Sequence, residues 1–355
     1  MARSSAELAT KQQAVVPMRT GRSDRFLAAL RAARRVVFVA HMQPDPDSLA
    51  SMMGLGQLVQ ERLGIPAVLT QEGGIFRAEN RAFVDLLHLE LLPIEEYVRV
   101  PGDAIVMVDS QPGTGRHNHD LIGNVAAVID HHVTPGNLGG VSYSDVRPEL
   151  GATCTIVLKY LVEQRLCIAP KLGTALLYGI ETELSGFPRE ATPADDEAAA
   201  ILYGLADKEL LAQIRHARLP QCHFDVLHQA LQNATVFGNL VWTWVEPMNQ
   251  PEQAAEVVDF LIRYDAAEWA ICAGVHRNKV ILSMRSSRAN AKAGELLQAA
   301  IGDIGNAGGH ERRAGGCIPL TATDTQALRA ELVQRCVRTI SGADTDGVPL
   351  VSATS

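Results

Sequence analysis

The sequence predicts a two-lobed α/β protein: a mostly parallel-sheet lobe, then a helical connector, then a smaller α/β lobe. Three observations predict it. Short runs rich in Val and Ile alternate with segments of helical spacing from Arg34 onward. A stretch of strong helix propensity without a strand signal follows near residue 191, and a second set of strand and helix patterns begins near residue 239. The length of 355 residues, about twice that of a usual domain, agrees with two cores.

Taken in order, residues 1–22 have the composition of a flexible tail, as does SGADTDGVPLVSATS at residues 341–355. RRVVFVA (34–40), PAVLT (66–70), AIVMVDS (104–110) and VAAVID (125–130) read as buried strands. Between them, Leu49 to Leu63 carries a helical pattern stopped by Gly64, and Glu79 to Leu87 carries another. GATCTIVLKYLVEQR and KLGTALLYGIETEL add two helices and close the first lobe, residues 23–190. DDEAAAILYGLADKELLAQIRHA suits the connector, residues 191–238. The second lobe, residues 239–340, contains the strand LVWTWVE, a helix over PEQAAEVVDFLIRY, strands AEWAICAGVHR and KVILSMRSS, and the glycine-rich loop IGNAGGHERRAGG.

With 47% hydrophobic and 20% charged residues, the composition is that of a soluble globular protein. The apolar runs are strand-length, far from the roughly 20 residues that a membrane helix needs, and the first 22 residues lack the apolar core of a secretory signal. Six cysteines without a CxxC pair fit reduced thiols and a cytoplasmic location. The net charge of -8 leaves no basic field for a long nucleic-acid duplex. An anionic substrate must therefore be captured locally, by metal ions and a few placed cations.

The chemistry gathers at the carboxyl ends of three expected strands. In HMQPDPDSLAS, His41, Asp45 and Asp47 crowd the turn between a strand and a helix, with Pro44 and Pro46 stiffening it. An extended loop there aims Asp45 and Asp47 in related but separate directions, and helix capping by the same acids is the plain alternative. Asp109 ends a second strand, and Asp130, His131 and His132 end a third, which capping does not explain. Carboxylates and imidazoles without cysteine favour Mn²⁺ or Mg²⁺ over structural zinc. Five such side chains exceed one closed site and suit two ions about 3.5 to 4 Å apart, the arrangement that hydrolyses phosphate esters.

HMQPDPDSLAS, VMVDSQ, VIDHH and GGHERRAGG resemble, in order, the motifs of the DHH phosphoesterases. The resemblance covers most of the chain, from a DHH catalytic lobe to the DHH-associated C-terminal lobe. It is nearest to stand-alone nanoRNase/pAp-phosphatase and cyclic-dinucleotide phosphodiesterase members. It implies that His41 and Asp45 hold one metal, Asp47 and His131 the other, and that Asp109 bridges them. It also implies that Asp130 orients a metal-bound histidine from outside and that His132 faces the phosphate or the bridging water. The family's later Thr-Asp-Thr-Gly motif here reads Thr182, Glu183, Leu184, Ser185, so Glu183 stands as the ligand in place of Asp.

In the second lobe Arg285 ends KVILSMR and is followed by Ser286 and Ser287, a grouping suited to gripping a terminal phosphate. Gly308 and Gly309 allow close backbone approach beside His310, Arg312 and Arg313, an anion cradle in which the resemblance assigns His310 to substrate. The family's usual small residue before Ala314 is here Arg313. His88, His117, His119, His216, His223, His228 and His276 lie outside the motifs and read as surface or core histidines, and the Met52/Met53 and Trp242/Trp244 pairs as packing. The expectation is a two-Mn²⁺ enzyme, with Mg²⁺ as the other candidate ion. Its expected substrates are short oligonucleotides, dinucleotides or the bisphosphate pAp, with no membrane partner and room for a homodimer. Hydrolysis of polyphosphate or pyrophosphate is the enzymatic alternative. A catalytically weak nucleotide-binding regulator, motivated by Glu183, is the other.

Overall fold

Strands made almost wholly of Val, Ile, Ala and Phe have no polar face to turn to water, so the sheet they form must be covered on both sides. The computed structural model describes residues 21–115, 117, 123–133, 135–184, 191–309, 311–320, 325–341 and 346–352. In it β1 (Arg35–Val39), β2 (Ala67–Gln71), β3 (Leu91–Pro93), β4 (Asp103–Val108), β5 (Val125–Asp130) and β6 (Tyr143–Val146) form one parallel sheet in the order β3-β2-β1-β4-β5-β6. The strand order reverses between β1 and β4. In open sheets of this kind the crevice outside the carboxyl ends at the reversal is where ligands bind.

Alternation splits the strand residues between two cores. Val36 and Phe38 face the larger one, shared with α1 (Arg22–Leu30), α2 (Pro46–Leu63), α3 (Ala78–Leu86), α4 (Thr153–Glu163) and α5 (Pro170–Glu183). Val37, Val39, Ile105, Met107 and Val128 form a smaller cluster on the other face. Helix α2 begins three residues earlier than its apolar pattern, at Pro46 rather than Leu49. Proline's fixed φ is compatible with the first helical turn, so the apolar pattern alone underruns the start. Its N-cap Asp45 accepts the Ser48 backbone N–H at 3.0 Å, and it stops at Gly64 with φ +65°. Asp47, expected on an extended loop, therefore stands in the first helical turn and is buried.

Helix α5 crosses α2 closely at Gly179. A Cβ there would lie 2.6 Å from Cys154 Sγ and 3.1 Å from Asp47 Cα, so only glycine permits the approach that carries Glu183 toward the strand ends.

Residues 191–238 hold α6 (Pro193–Leu205), α7 (Lys208–Arg215) and α8 (Gln221–Gln232). Asp207 separates the first two by capping α7 through the backbone N–H groups of Glu209 and Leu210. Ala198, Leu202, Leu211 and Ile214 belong to the first lobe's core, whereas Val226 and Ala230 belong to the second lobe's, so the segment is divided between the two.

The second sheet runs β11-β12-β10-β9-β8-β7-β13, with β7 (Thr235–Phe237), β8 (Leu240–Val245), β9 (Trp269–His276), β10 (Lys279–Ser286), β11 (Asn306–Gly309), β12 (Arg313–Pro319) and β13 (Val348–Pro349). β8 and β9 pair in parallel and the other neighbours are antiparallel. α9 (Gln253–Leu261) packs with α8 on one face, while α10 (Ala293–Ile301) and α11 (Thr325–Ser341) cover the other around Trp242 and Trp244.

Two expectations change here. The glycine-rich loop is the hairpin of β11 and β12, in which Gly308 pairs with Gly315 and Gly309 with Ala314. Glycine lacks strand propensity, yet its backbone groups pair as well as any other. The expected C-terminal tail contributes β13, where Val348 pairs with Val236. Residues 1–20, 342–345 and 353–355 of the two tails lie outside the described residues. Among the described residues no helix is long and apolar enough to cross a membrane.

Candidate metal centre

Three strand ends and three helix ends meet at the crevice. His41 follows β1 and is buried; its Nδ1 lies 2.9 Å from the Met42 carbonyl, which can only accept, so the proton sits on Nδ1 and Nε2 faces inward. That Nε2 is 3.6 Å from Asp45 Oδ2 and 3.6 Å from Asp109 Oδ2. His131 follows β5 and is arranged the same way: Nδ1 is 3.2 Å from the Leu150 carbonyl, and Nε2 is 3.5 Å from Asp109 Oδ1 and 4.0 Å from Asp47 Oδ2. The His131 Nε2 is buried and has no hydrogen-bond partner.

Asp109 lies between the two histidines and gives one oxygen to each side. It is buried, has φ +59°, and accepts the Thr153 hydroxyl at 2.7 Å. A non-glycine residue held at positive φ costs about 1 to 2 kcal/mol and is characteristic of functional sites. Asp47 accepts the backbone N–H groups of Thr153 and Cys154, each at 2.8 Å, on separate oxygens. The start of α4 thus fixes both carboxylates from behind.

Two groups of donor atoms come within 4.8 Å of one another: His41, Asp45 and Asp109, and Asp109, His131 and His132. They share Asp109. Two donors each about 2.1 Å from one small cation stand ~3 to 4 Å apart, which is the spacing seen here and too long for hydrogen bonds. The orphaned Nε2 of His131 and the oxygen-rich donor set fit a hard divalent cation on each side of Asp109.

The charges point the same way. Burial works against a charge on His41, but the Asp109 and Asp45 carboxylates outweigh it and raise the imidazole to about 10. Burial likewise opposes a charge on His131, yet Asp109 and Asp47 raise it to about 9. Burial, then the neighbouring Asp109, pushes Asp47 up to about 8. The cluster calls for positive charge, and in its absence the rings hold protons.

Asp130 departs from the expected arrangement. Its carboxylate meets His132 Nδ1 at 2.8 Å and not the metal-facing His131, whose tautomer is set by the Leu150 carbonyl. Its other oxygen accepts Gln111 Nε2 at 2.8 Å, and Gln111 Oε1 accepts the Gly136 N–H at 2.9 Å, tying the loop after β5 to the loop after β4. Gln111 was passed over in the sequence because glutamine carries no acid–base chemistry. His117, read there as a bystander, is buried with Nδ1 3.2 Å from the Ala40 carbonyl, next to His41. A lone histidine in a loop gives no spacing signal.

Glu183 closes α5. Burial, then the charge of Asp45, raises its carboxyl, and it also acts on Asp109 and His131, so it borders the centre without belonging to either close group. Arg313 of β12 acts on Glu183 from the other lobe. Arg285, next to last in β10, binds Asp259 Oδ1 through Nε at 2.7 Å. Ser286 is buried, donates to the Glu268 carbonyl at 3.0 Å and accepts from Arg288 N–H, so its hydroxyl serves the turn and not a ligand. Gly308 is open to solvent, whereas a Cβ on Gly309 would lie 2.1 Å from the Arg313 carbonyl. His310 lies outside the described residues.

Residues 35–180, which carry this centre, match the family described as DHH family, N-terminal domain. The chain is 31% identical over 308 residues to the uncharacterized protein MJ1633 of Methanocaldococcus jannaschii, covering 85% of this chain and 62% of that protein. It is 24% identical over 169 residues to the Streptococcus mutans protein named probable bifunctional oligoribonuclease and PAP phosphatase NrnA, covering 47% of this chain and 51% of that one. The chain thus spans less than two thirds of either relative's length. Its fold is that of an exopolyphosphatase-related protein from Bacteroides fragilis, with a TM-score of 0.71 at 16% identity, covering 89% of this chain and 95% of that one.

Proposed function

We propose that this chain is a two-Mn²⁺ phosphoesterase that hydrolyses short oligonucleotides, dinucleotides or pAp in the cytoplasm. The observation that carries the reading is the pair of donor groups sharing Asp109 at the carboxyl ends of β1, β4 and β5. In this reading His41, Asp45 and Asp109 would hold one ion and His131, Asp47 and Asp109 the other, with Mg²⁺ as the alternative metal. Two such ions supply a water of lowered pKa and neutralise the phosphoryl oxygens.

The protein's own groups do the rest. Thr153 and the backbone of α4 keep Asp109 and Asp47 oriented. His132, its tautomer set by Asp130 and its Nδ1 3.7 Å from Asp109 Oδ1, is in this reading the group that donates or accepts a proton at the phosphate. Burial lowers the basicity of His132, but Asp130 and Asp109 outweigh it and raise the imidazole above its ordinary value. Arg285 and the Gly308–Gly309 edge of the second lobe receive the remainder of the substrate. The name carried by the Streptococcus mutans relative supports the ester substrates.

The test is turnover on pAp, linear and cyclic dinucleotides, short RNA and polyphosphate with Mn²⁺. Cleavage of the nucleotide esters and none of polyphosphate is expected. Cleavage of polyphosphate alone would replace this reading with a phosphoanhydride hydrolase, and binding without cleavage would replace it with a regulator.

A further inference from the structure

The start of α4 and the turn before it orient three side chains of the metal centre. The Leu150 carbonyl accepts His131 Nδ1–H, the Thr153 and Cys154 backbone N–H groups bind the two oxygens of Asp47, and the Thr153 hydroxyl binds Asp109 Oδ1. That Oδ1 is the oxygen facing His131, whereas Oδ2 faces His41. All four bonds therefore come from residues 150–154 and lie on the His131 side of the centre. On the other side His41 is held by the Met42 carbonyl and Asp45 by the Ser48 N–H, both outside that segment.

A segment can hold ligands still only if it is itself held, and Asp195 of the connector helix α6 does so. Its Oδ2 accepts the Gly151 N–H at 2.9 Å and its Oδ1 accepts the Thr155 hydroxyl at 2.6 Å, one bond on each side of Thr153 and Cys154. Oδ2 also accepts the Thr192 N–H at 2.9 Å and the Thr192 hydroxyl at 2.6 Å, which caps α6 and fixes the carboxylate in turn. Asp195 is fully buried, and burial opposes its charge. The bonds from Thr155, Thr192 and Gly151 nevertheless hold its carboxyl below the ordinary range, so it is ionised and accepts from each of these donors. Capping needs only Thr192. It does not account for a buried carboxylate that also takes two donors from around the start of another helix.

We propose that Asp195 is a positioning residue for the ion held by His131, Asp47 and Asp109, acting through residues 150–154, and that it leaves the ion at His41 and Asp45 alone. The inference deepens the two-ion reading above and rests on it. The connector between the lobes then also sets one half of the metal centre. In PADDEAAA, Asp195 carries no signal of this, since an acid in a first helical turn is ordinary.

The experiment is calorimetric titration of the full chain with Mn²⁺. Asp195→Ala should leave one ion at parental affinity and weaken the other by about tenfold or more, the loss that follows when an outer partner of a metal ligand is removed. His41→Ala and His131→Ala backgrounds assign the ions. Asp195→Ala should produce that loss in the His41→Ala background and change affinity by less than about twofold in the His131→Ala background, as independent sites do. Asp195→Asn should restore most of the affinity, because its carbonyl can take the Gly151 and Thr192 N–H groups while its amide donates to Thr155 Oγ. Thr192→Ala removes the cap but keeps the Gly151 and Thr155 bonds, so it should lower the melting temperature and spare both affinities. Should Asp195→Ala not fold, Thr155→Val removes one of the two pinning bonds and should give the same one-sided weakening. Equal weakening of both ions, or a lower melting temperature with neither ion weakened, would make Asp195 a structural cap alone. A parent chain that binds fewer than two Mn²⁺ would overturn the two-ion reading and this inference with it. If the parent binds two ions, shows the one-sided loss and cleaves no phosphate ester, the positioning role stands and the hydrolytic reading fails.

Discussion

At the scale of single residues, Asp109 is the side chain on which both halves of the centre depend. Its two oxygens face two histidines, its backbone is held at φ +59°, and it adds negative charge to a site already crowded with carboxylates. Asp109→Asn keeps the size and the bond from Thr153 while removing that charge. Calorimetry of the metal-free variant at neutral pH should give a melting temperature at or below the parent's, because protonated His41 and His131 lose the carboxylate that most favours their charge, while metal content and turnover collapse. Retained metal and rate would remove Asp109 from the centre. Protons behave predictably at the same site. In the metal-free protein His41 and His131, raised to about 10 and about 9, are protonated at neutral pH. A metal must displace those protons and the one on Asp47, held up to about 8, so its affinity should rise with pH up to about 10 and about three protons should be released per chain near pH 7. Calorimetric titrations in buffers of different ionisation enthalpy read that number, and no buffer dependence would contradict it. The same shifts set stability: an imidazole raised above its unfolded value of about 6.5 stabilises fully below that pH and loses the effect as pH climbs through 9 to 10. The metal-free protein should therefore weaken on the alkaline side, and bound metal should reverse this. Glu183→Gln tests the border of the site, with an expected loss of ~10 to 100-fold in turnover and weaker Mn²⁺ binding, and Glu183→Asp falling between.

At the scale of elements, the site depends on two close approaches that only glycine allows. At Gly179 an added Cβ meets Cys154 Sγ at 2.6 Å, and Cys154 donates its backbone N–H to Asp47. Gly179→Ala should push α5 from α2, cost about 1 to 3 kcal/mol of stability, and lower metal affinity by displacing the residues that hold Asp47. Unchanged melting and metal binding would show that the helices are free to separate there. In the second lobe Gly308 and Gly309 should part company. Gly309→Ala cannot be fitted against the Arg313 carbonyl and should disrupt the hairpin, while Gly308→Ala, facing open space, should fold normally. The elements themselves were largely legible. Runs such as VVFV and IVMV fixed the strands, and Gly64 fixed a helix end, because burial and backbone freedom act locally. The start of α2 was obscured by its proline-rich entry, and the β11–β12 hairpin by glycine's lack of side-chain signal.

At the scale of the whole molecule, the first lobe's acids and histidines were legible because each follows a strand, and a parallel sheet brings strand ends together whatever lies between them in sequence. Pairings across the fold were not. Asp130 meets His132, His131 meets the Leu150 carbonyl, and Arg77 meets Asp259 from 182 residues away, all set by packing that no local pattern encodes. The proposed centre is two ions sharing one carboxylate. Mn²⁺ binding measured by equilibrium dialysis, with pAp hydrolysis followed on the same samples, tests it. Two Mn²⁺ per chain, a rate that rises with the second equivalent, and loss of both in Asp109→Asn are expected. A single bound ion at full rate, or hydrolysis that survives complete chelation, would contradict it.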